Sequence, residues 1–356
     1  MKIINIHTHI FINKNVPHKF LPLMLVRLLI RYKLTKSFAR FLNSLNPLNS
    51  DDTFDRYSNF VNQNDRKSAE EVFLNLKKYY PENSSFVVLS MDFEYMEAGE
   101  CYLDFMSQLA DLQFLKAKYG NQIYPFIAAD PRRPNLLDLI KDFIENKGGK
   151  GIKIYPPLGF FPFDQRLYPV YEYAQKNDIP ITTHCSRGGI YYRGKLFEKD
   201  LVHPRTGERL SIEKNKYFIR NWTNPKNYKY VLDDFPNLRL DLGHFGGMED
   251  WADFVKGENK ILDENWVETI LELIEKYPNV YTDISYTMFD KKYFETLKNL
   301  LTDNRYKNKI LFGSDFYMDE IEVNEHHFST FLREQLGEEF YLQMAVHNNS
   351  KFLKLA

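Results

Sequence analysis

Eight short runs rich in β-branched and aromatic residues recur along the chain, separated mostly by longer segments of helical period, and this alternation restricts the fold more than any other feature. The runs occupy 2–9, 85–93, 123–130, 151–157, 180–186, 238–246, 280–286 and 309–316. Several are nearly continuous in apolar residues, as parallel strands covered on both faces require. Helical patterns at 99–119, 134–146, 164–177 and 264–276 precede the third, fourth, fifth and seventh runs. Eight βα units predict an α/β fold of the closed (β/α)8 type, a TIM barrel, rather than a doubly wound open sheet, because the repetition uses almost the whole chain. No glycine-rich dinucleotide-binding turn follows the first run, which also counts against the open sheet.

Two segments break the rhythm, at 10–84 and 187–237. They read as long insertions after strands 1 and 5, leaving from the face where barrels carry their active sites, and are predicted to form lids and pocket walls. The apolar stretch FLPLMLVRLLI at 20–30 contains Pro22 and Arg27. It falls short of the roughly 20 residues that span a bilayer, so it reads as a lid or packing element without stable membrane insertion. The tract at 42–60 is polar and turn-rich yet carries enough aromatics to be ordered. With no linker and no fixed-period repeat, residues 1–356 read as a single barrel domain.

Composition narrows the partners. Hydrophobic residues at 44% and charged residues at 27% allow a large core, and a formal net charge of -1 gives no broad electrostatic reason to expect nucleic acid. A small-molecule partner is expected. Cys101 and Cys185 are the only cysteines, and the N-terminus shows no secretory pattern, which points to a reduced, cytoplasmic setting.

Chemistry-bearing residues fall at the strand ends. His7 and His9 close the first strand, Lys153 lies in the fourth, His184 ends the fifth, His244 the sixth and Asp315 the eighth. In a closed barrel these C-terminal ends converge on one mouth, so residues far apart in sequence become neighbours. Three histidines and an aspartate offer the nitrogen and oxygen ligands that hold a catalytic zinc with one position open. Such an ion activates water at neutral pH and polarises a carbonyl. Burying six titratable groups together without a metal or mutual pairing would be costly.

These features, HTH at 7–9, GIKIYPP at 151–157, THCS at 183–186, PNLRLDLGHFGG at 236–247 and LFGSDF at 311–316, resemble the amidohydrolase superfamily of metal-dependent barrels. The resemblance is to its amidohydrolase-2 branch, which includes decarboxylases similar to aminocarboxymuconate semialdehyde decarboxylase. It implies metal ligation by His7, His9, His184 and Asp315, with Asp315 also moving a proton and His244 acting as catalytic residue or further ligand. One Zn2+ is the favoured cofactor, with two ions or another divalent metal left open. Lys153 reads as a carboxylated bridging ligand or as a cation facing substrate, and Tyr155 stands where a histidine is common in the single-metal pattern. Arg187, directly after THCS, and Tyr155 are expected to bind substrate. The implied activity is metal-dependent hydrolysis of a small-molecule amide, lactone or ester; the alternative is non-oxidative decarboxylation of a small carboxylic acid. A homodimer is compatible with the resemblance. Cys185, pointing opposite to His184, reads as packing, and His326 and His327 read as surface or packing residues on a helix after strand eight.

Overall fold

The computed structural model describes residues 2–19, 66–210, 214–257, 261–316 and 325–355. The stretches 20–30 and 42–60, expected to form a lid or packing element and an ordered loop, lie outside these residues.

Eight parallel strands form one sheet in sequential order: β1 Ile4–Thr8, β2 Ser85–Leu89, β3 Ile123–Ala128, β4 Gly151–Ile154, β5 Ile181–Ser186, β6 Leu240–Gly246, β7 Val280–Asp283 and β8 Ile310–Leu311. Their near-continuous burial follows from apolar sequences that can face helices on one side and the barrel interior on the other. The eighth strand is much shorter than its sequence run, because the ladder gives way to irregular backbone after Leu311. Backbone bonds still draw this segment to β1: Ile6 N donates to Phe312 O at 3.1 Å and Asp315 N to His7 O at 2.8 Å. The first and last strands therefore meet, as a barrel requires.

Helices between the strands are α1 Ala69–Lys77, α2 Phe105–Tyr119, α3 Leu136–Asn146, α4 Tyr168–Lys176, α5 Asn215–Thr223, α6 Asn227–Asp234, α7 Met248–Phe254, α8 Trp266–Lys276 and α9 Phe294–Thr302. After β8 come α10 Glu325–Leu336, α11 Glu338–Leu342 and, beyond a π-helical stretch, α12 Asn349–Leu353. The helix expected from residue 99 starts later, because Asp104 caps it by accepting the Ser107 N–H at 2.8 Å. The chain between β5 and β6 holds α5 and α6, whereas most of the segment after β1 lies outside the described residues. Among the described residues no helix is long and apolar enough to cross a membrane.

An inner cluster of Ile4, Ile6, Val87, Leu89, Tyr124, Phe126, Tyr281 and Leu311 fills one end of the barrel, with Phe352 and Leu353 of α12 packed against it. Toward the other end the interior turns polar: Lys153, Thr182 and Asp241 stand side by side in register on β4, β5 and β6, all fully buried.

Candidate metal centre

His7 owes its position to an irregularity. Ile4 and Ile6 face the inner cluster, so strict alternation would send His7 to the opposite side of β1. The register with β2 shifts between Asn5 and Thr8, and this bulge re-aims the ring toward Lys153 and Asp283. His9 follows directly after the strand. His244 and Asp315 adopt left-handed backbone, with φ of 71° and 69°, a conformation that costs free energy for non-glycine residues and marks a constrained site. Bonds from Thr287 Oγ1 to His244 O at 2.7 Å and from Asp315 N to His7 O hold these turns in place.

The four histidines share one design. His9 Nδ1 faces Leu89 O at 3.1 Å, His244 Nδ1 faces Ser285 O at 3.1 Å, and His184 Nε2 faces Gly188 O at 2.7 Å. Carbonyl oxygens only accept, so each of these nitrogens carries the proton. His7 Nδ1 donates likewise to Asp283 Oδ2 at 2.7 Å. The tautomers leave lone pairs on His7 Nε2, His9 Nε2, His244 Nε2 and His184 Nδ1. Burial favours neutral rings: it lowers His7 to about 3 and brings His184 and His244 below the ordinary histidine value.

Asp315 closes the cluster. Its Oδ1 lies 3.3 Å from His9 Nε2 and 3.7 Å from His7 Nε2. Burial raises the Asp315 carboxyl, but His9, His7 and His244 outweigh it and hold the group below the usual range. With the protons placed by these carbonyl and carboxylate acceptors, His7 Nε2, His9 Nε2 and Asp315 Oδ1 face one another at close range, and the Lys153 Nζ approaches His7 Nε2 from the side. That arrangement calls for a cation, so the donor set fits a divalent metal. Two groups of ligand atoms lie within 4.8 Å of one another: His7, His9 and Asp315, and His7, His244 and Asp283. His184 belongs to neither, although its ring centroid is 4.5 Å from that of His244 and 4.8 Å from that of Tyr155.

Lys153 is fully buried, with Nζ 3.4 Å from His7 Nε2. Desolvation lowers it to about 8, against the pull of Asp283, Asp315 and Asp241. The Tyr155 hydroxyl accepts the Ile190 N–H at 2.9 Å. Between these partners, Gly189 has no room for a side chain: a Cβ there would lie 2.8 Å from His184 Nε2. Arg187 pairs bidentately with buried Asp250 at 2.6 and 3.0 Å, donates to Glu264 O at 2.7 Å, and lies 4.5 Å from the Trp266 ring centroid. Its two-pronged carboxylate grip is therefore engaged within the protein through Nε and Nη2.

A cavity of about 420 Å³ opens above these groups, bordered by His9, Tyr155, His184, Arg187, His244 and Asp315. Phe11, Met91, Tyr191 and Tyr286 give it apolar and aromatic walls. Tyr192 and Trp222 pack against each other instead, at 6.0 Å between rings. Cys185 is buried away from the cavity, with Sγ 3.7 Å from Thr223 O, and burial pushes its thiol well up. His326 lies on α10, exposed beside Tyr79; the His327 side chain is outside the described residues.

Asp283 and Ser285, missed in the sequence, touch both His7 and His244. Asp283 ends β7 as Asp315 follows β8, so the rule that selected strand-end residues would also have found it. Burial raises the Asp283 carboxyl, yet His7, His244 and Ser285 hold it well below its ordinary range; neighbouring Asp241, buried beside it, is pushed up.

The sequence model described as amidohydrolase matches residues 84–347, well over half of the chain. No curated protein sequence matches it. Similar folds include an uncharacterised TIM-barrel protein of Bordetella bronchiseptica, 15% identical, TM-score 0.57, covering 99% of both chains. The 2,6-dihydroxybenzoate decarboxylase of Rhizobium is 13% identical, TM-score 0.56, covering 100% of this chain and 99% of its own. The 5-carboxyvanillate decarboxylase of Novosphingobium aromaticivorans, crystallised with manganese and 4-hydroxy-3-methoxy-5-nitrobenzoic acid, is 12% identical, TM-score 0.57, covering 99% of this chain and 96% of its own.

Proposed function

The chain belongs to the amidohydrolase family, and from that premise we propose that it is a divalent-metal-dependent enzyme that decarboxylates a small aromatic acid. The observation that carries the metal dependence is the convergence of His7 Nε2, His9 Nε2 and Asp315 Oδ1, three buried atoms of ligand type at short range from one another. His7, His9, His184 and Asp315 would hold the ion. A divalent cation held there would supply a Lewis acid against a substrate oxygen. Zinc was the ion expected from the ligand types; manganese accompanies the Novosphingobium decarboxylase, and both suit such a donor set.

Two features support decarboxylation over the hydrolysis first expected. Two of the similar folds are decarboxylases of ring-bearing acids. The cavity suits such a molecule: about 420 Å³ lies within the range of about 300–1,000 Å³ for small-ligand sites, and Phe11, Tyr155, Tyr191 and Tyr286 stand among its walls. In this reading the aromatic walls hold the ring, Arg187 contacts an anionic substituent, and Tyr155 keeps the 187–190 loop against His184. The carbon–carboxylate bond breaks, its electron pair stays on the ring carbon, and carbon dioxide leaves. Asp315 hands a proton taken from solvent to that carbon, and His244 orients the substrate oxygen.

The test supplies the metal-loaded protein with a panel of hydroxylated benzoates and with aryl esters and lactones in 18O-labelled water. Carbon dioxide release without label in the organic product is the expected result. Labelled product without carbon dioxide would restore hydrolysis.

A further inference from the structure

No residue of β7 entered the metal site expected from sequence, yet the turn at its end grips two histidines at once. Asp283 Oδ2 accepts the His7 Nδ1–H at 2.7 Å, while Oδ1 accepts the backbone N–H groups of His244 at 3.2 Å and Ser285 at 2.9 Å. The Ser285 hydroxyl donates to the same Oδ1 and lies 3.1 Å from His7 Nδ1 and 3.0 Å from His244 Nδ1. Ser285 O and Thr287 Oγ1 then fix the His244 ring and carbonyl. Asp283, Ser285 and Thr287 are all fully buried.

His7 of β1, His244 of β6 and Ser285 just after β7 all donate to the Asp283 carboxylate, and the buried Asp241 carboxyl of β6 also lies against it. A carboxylate suits this position because both oxygens accept. An amide would turn its NH2 against His7 or against the backbone N–H groups, so one side of the arrangement would break.

We propose that Asp283 is a positioning residue that couples His7 to His244, turning both Nε2 lone pairs toward the cavity by binding both residues from one carboxylate. It acts through the two histidines; a cation bound instead by His7, His244 and Asp283 would make the carboxylate a ligand and overturn the proposal. The proposal rests on the metal reading above. A purely structural role would lower the melting temperature of an Asp283→Asn variant without altering how the folded protein binds a cation.

The test uses the full chain with Mn2+ and Co2+ as probes. Dissociation constants are read by competition with a chelator, and the visible d–d bands of the Co2+ protein report ligand geometry. Asp283→Asn is expected to weaken binding by roughly 10–100-fold, the range for lost outer-sphere partners, and to shift the Co2+ bands. Parent-like affinity and spectrum in the folded variant would overturn the proposal. Should Asp283→Asn not fold, Ser285→Ala decides: a severalfold weaker affinity with altered bands supports the coupling, and parent values overturn it. His7→Ala separates the two levels. If it binds Mn2+ as the parent does, the metal reading fails and the proposal with it; if it loses the ion while Asp283→Asn keeps it, only the proposal fails.

Discussion

At the N-terminal end of the barrel, Tyr124, Phe126, Tyr281 and Leu311 pack against Phe352 and Leu353 of the closing helix α12. The cations there stand on long stems: Lys116 Nζ reaches Gly120 O and Ile123 O at 3.0 and 3.1 Å, above the Tyr124 ring, and Lys309 lies 4.4 Å from the Tyr281 ring centroid. At the C-terminal end the charged and polar groups are buried instead, and each imidazole is fixed on one side by a carbonyl or carboxylate. Apolar packing with charges at its rim can serve stability alone. Buried histidines whose open nitrogens converge serve ligand binding, because folding alone gains little from desolvating them.

If that contrast is right, damage at the two ends should separate stability from turnover. The largest effect belongs to the mouth: His7→Ala or Asp315→Asn should abolish metal-dependent turnover while the circular dichroism spectrum stays that of a folded barrel. Wild-type activity in either would break the ligand assignment. His244→Ala should lower kcat by about 10²–10⁴-fold, the range for a lost proton-handling or orienting group, with the metal still bound. Metal loss in that variant would make His244 a ligand.

The opposite end should show the opposite pattern. Phe352→Ala, at a fully buried ring 5.3 Å from that of Tyr281, should destabilise the protein by about 3–5 kcal/mol in urea titration, with kcat of the folded fraction unchanged. A fall in kcat without lost stability would erase the distinction between the ends.

The contrast also has a pH dependence. His7 titrates near 3 when folded, against about 6.5 for an unfolded histidine, and His184 and His244 shift in the same direction. Between these values the unfolded chain binds more protons, so acidification from about pH 6.5 toward 3 should progressively destabilise the metal-free protein. His7→Ala should flatten part of that slope. An unchanged slope would mean that the ring is not desolvated as described.

The sequence carried the barrel and the residue types at its mouth, because strand periodicity and strand-end position are local signals. It did not carry the bulge in β1, since the register shift between Asn5 and Thr8 depends on pairing with β2. Which imidazole nitrogen stays open is set by Leu89 O, Ser285 O and Gly188 O, backbone groups without residue-type signatures. Arg187 looked like a substrate clamp because its partner Asp250 lies on α7, 63 positions away. Asp283 is legible by the strand-end rule, whereas its contacts with His7 and His244 depend on the closed barrel.

Diffraction from crystals grown with Mn2+ or Zn2+, recorded across the metal absorption edge, tests the proposed centre most directly. The expected result is anomalous density at the mouth, bound by His7, His9, His184 and Asp315, with Asp283 still on His7 Nδ1. Density elsewhere, or none with these side chains turned apart, would contradict it.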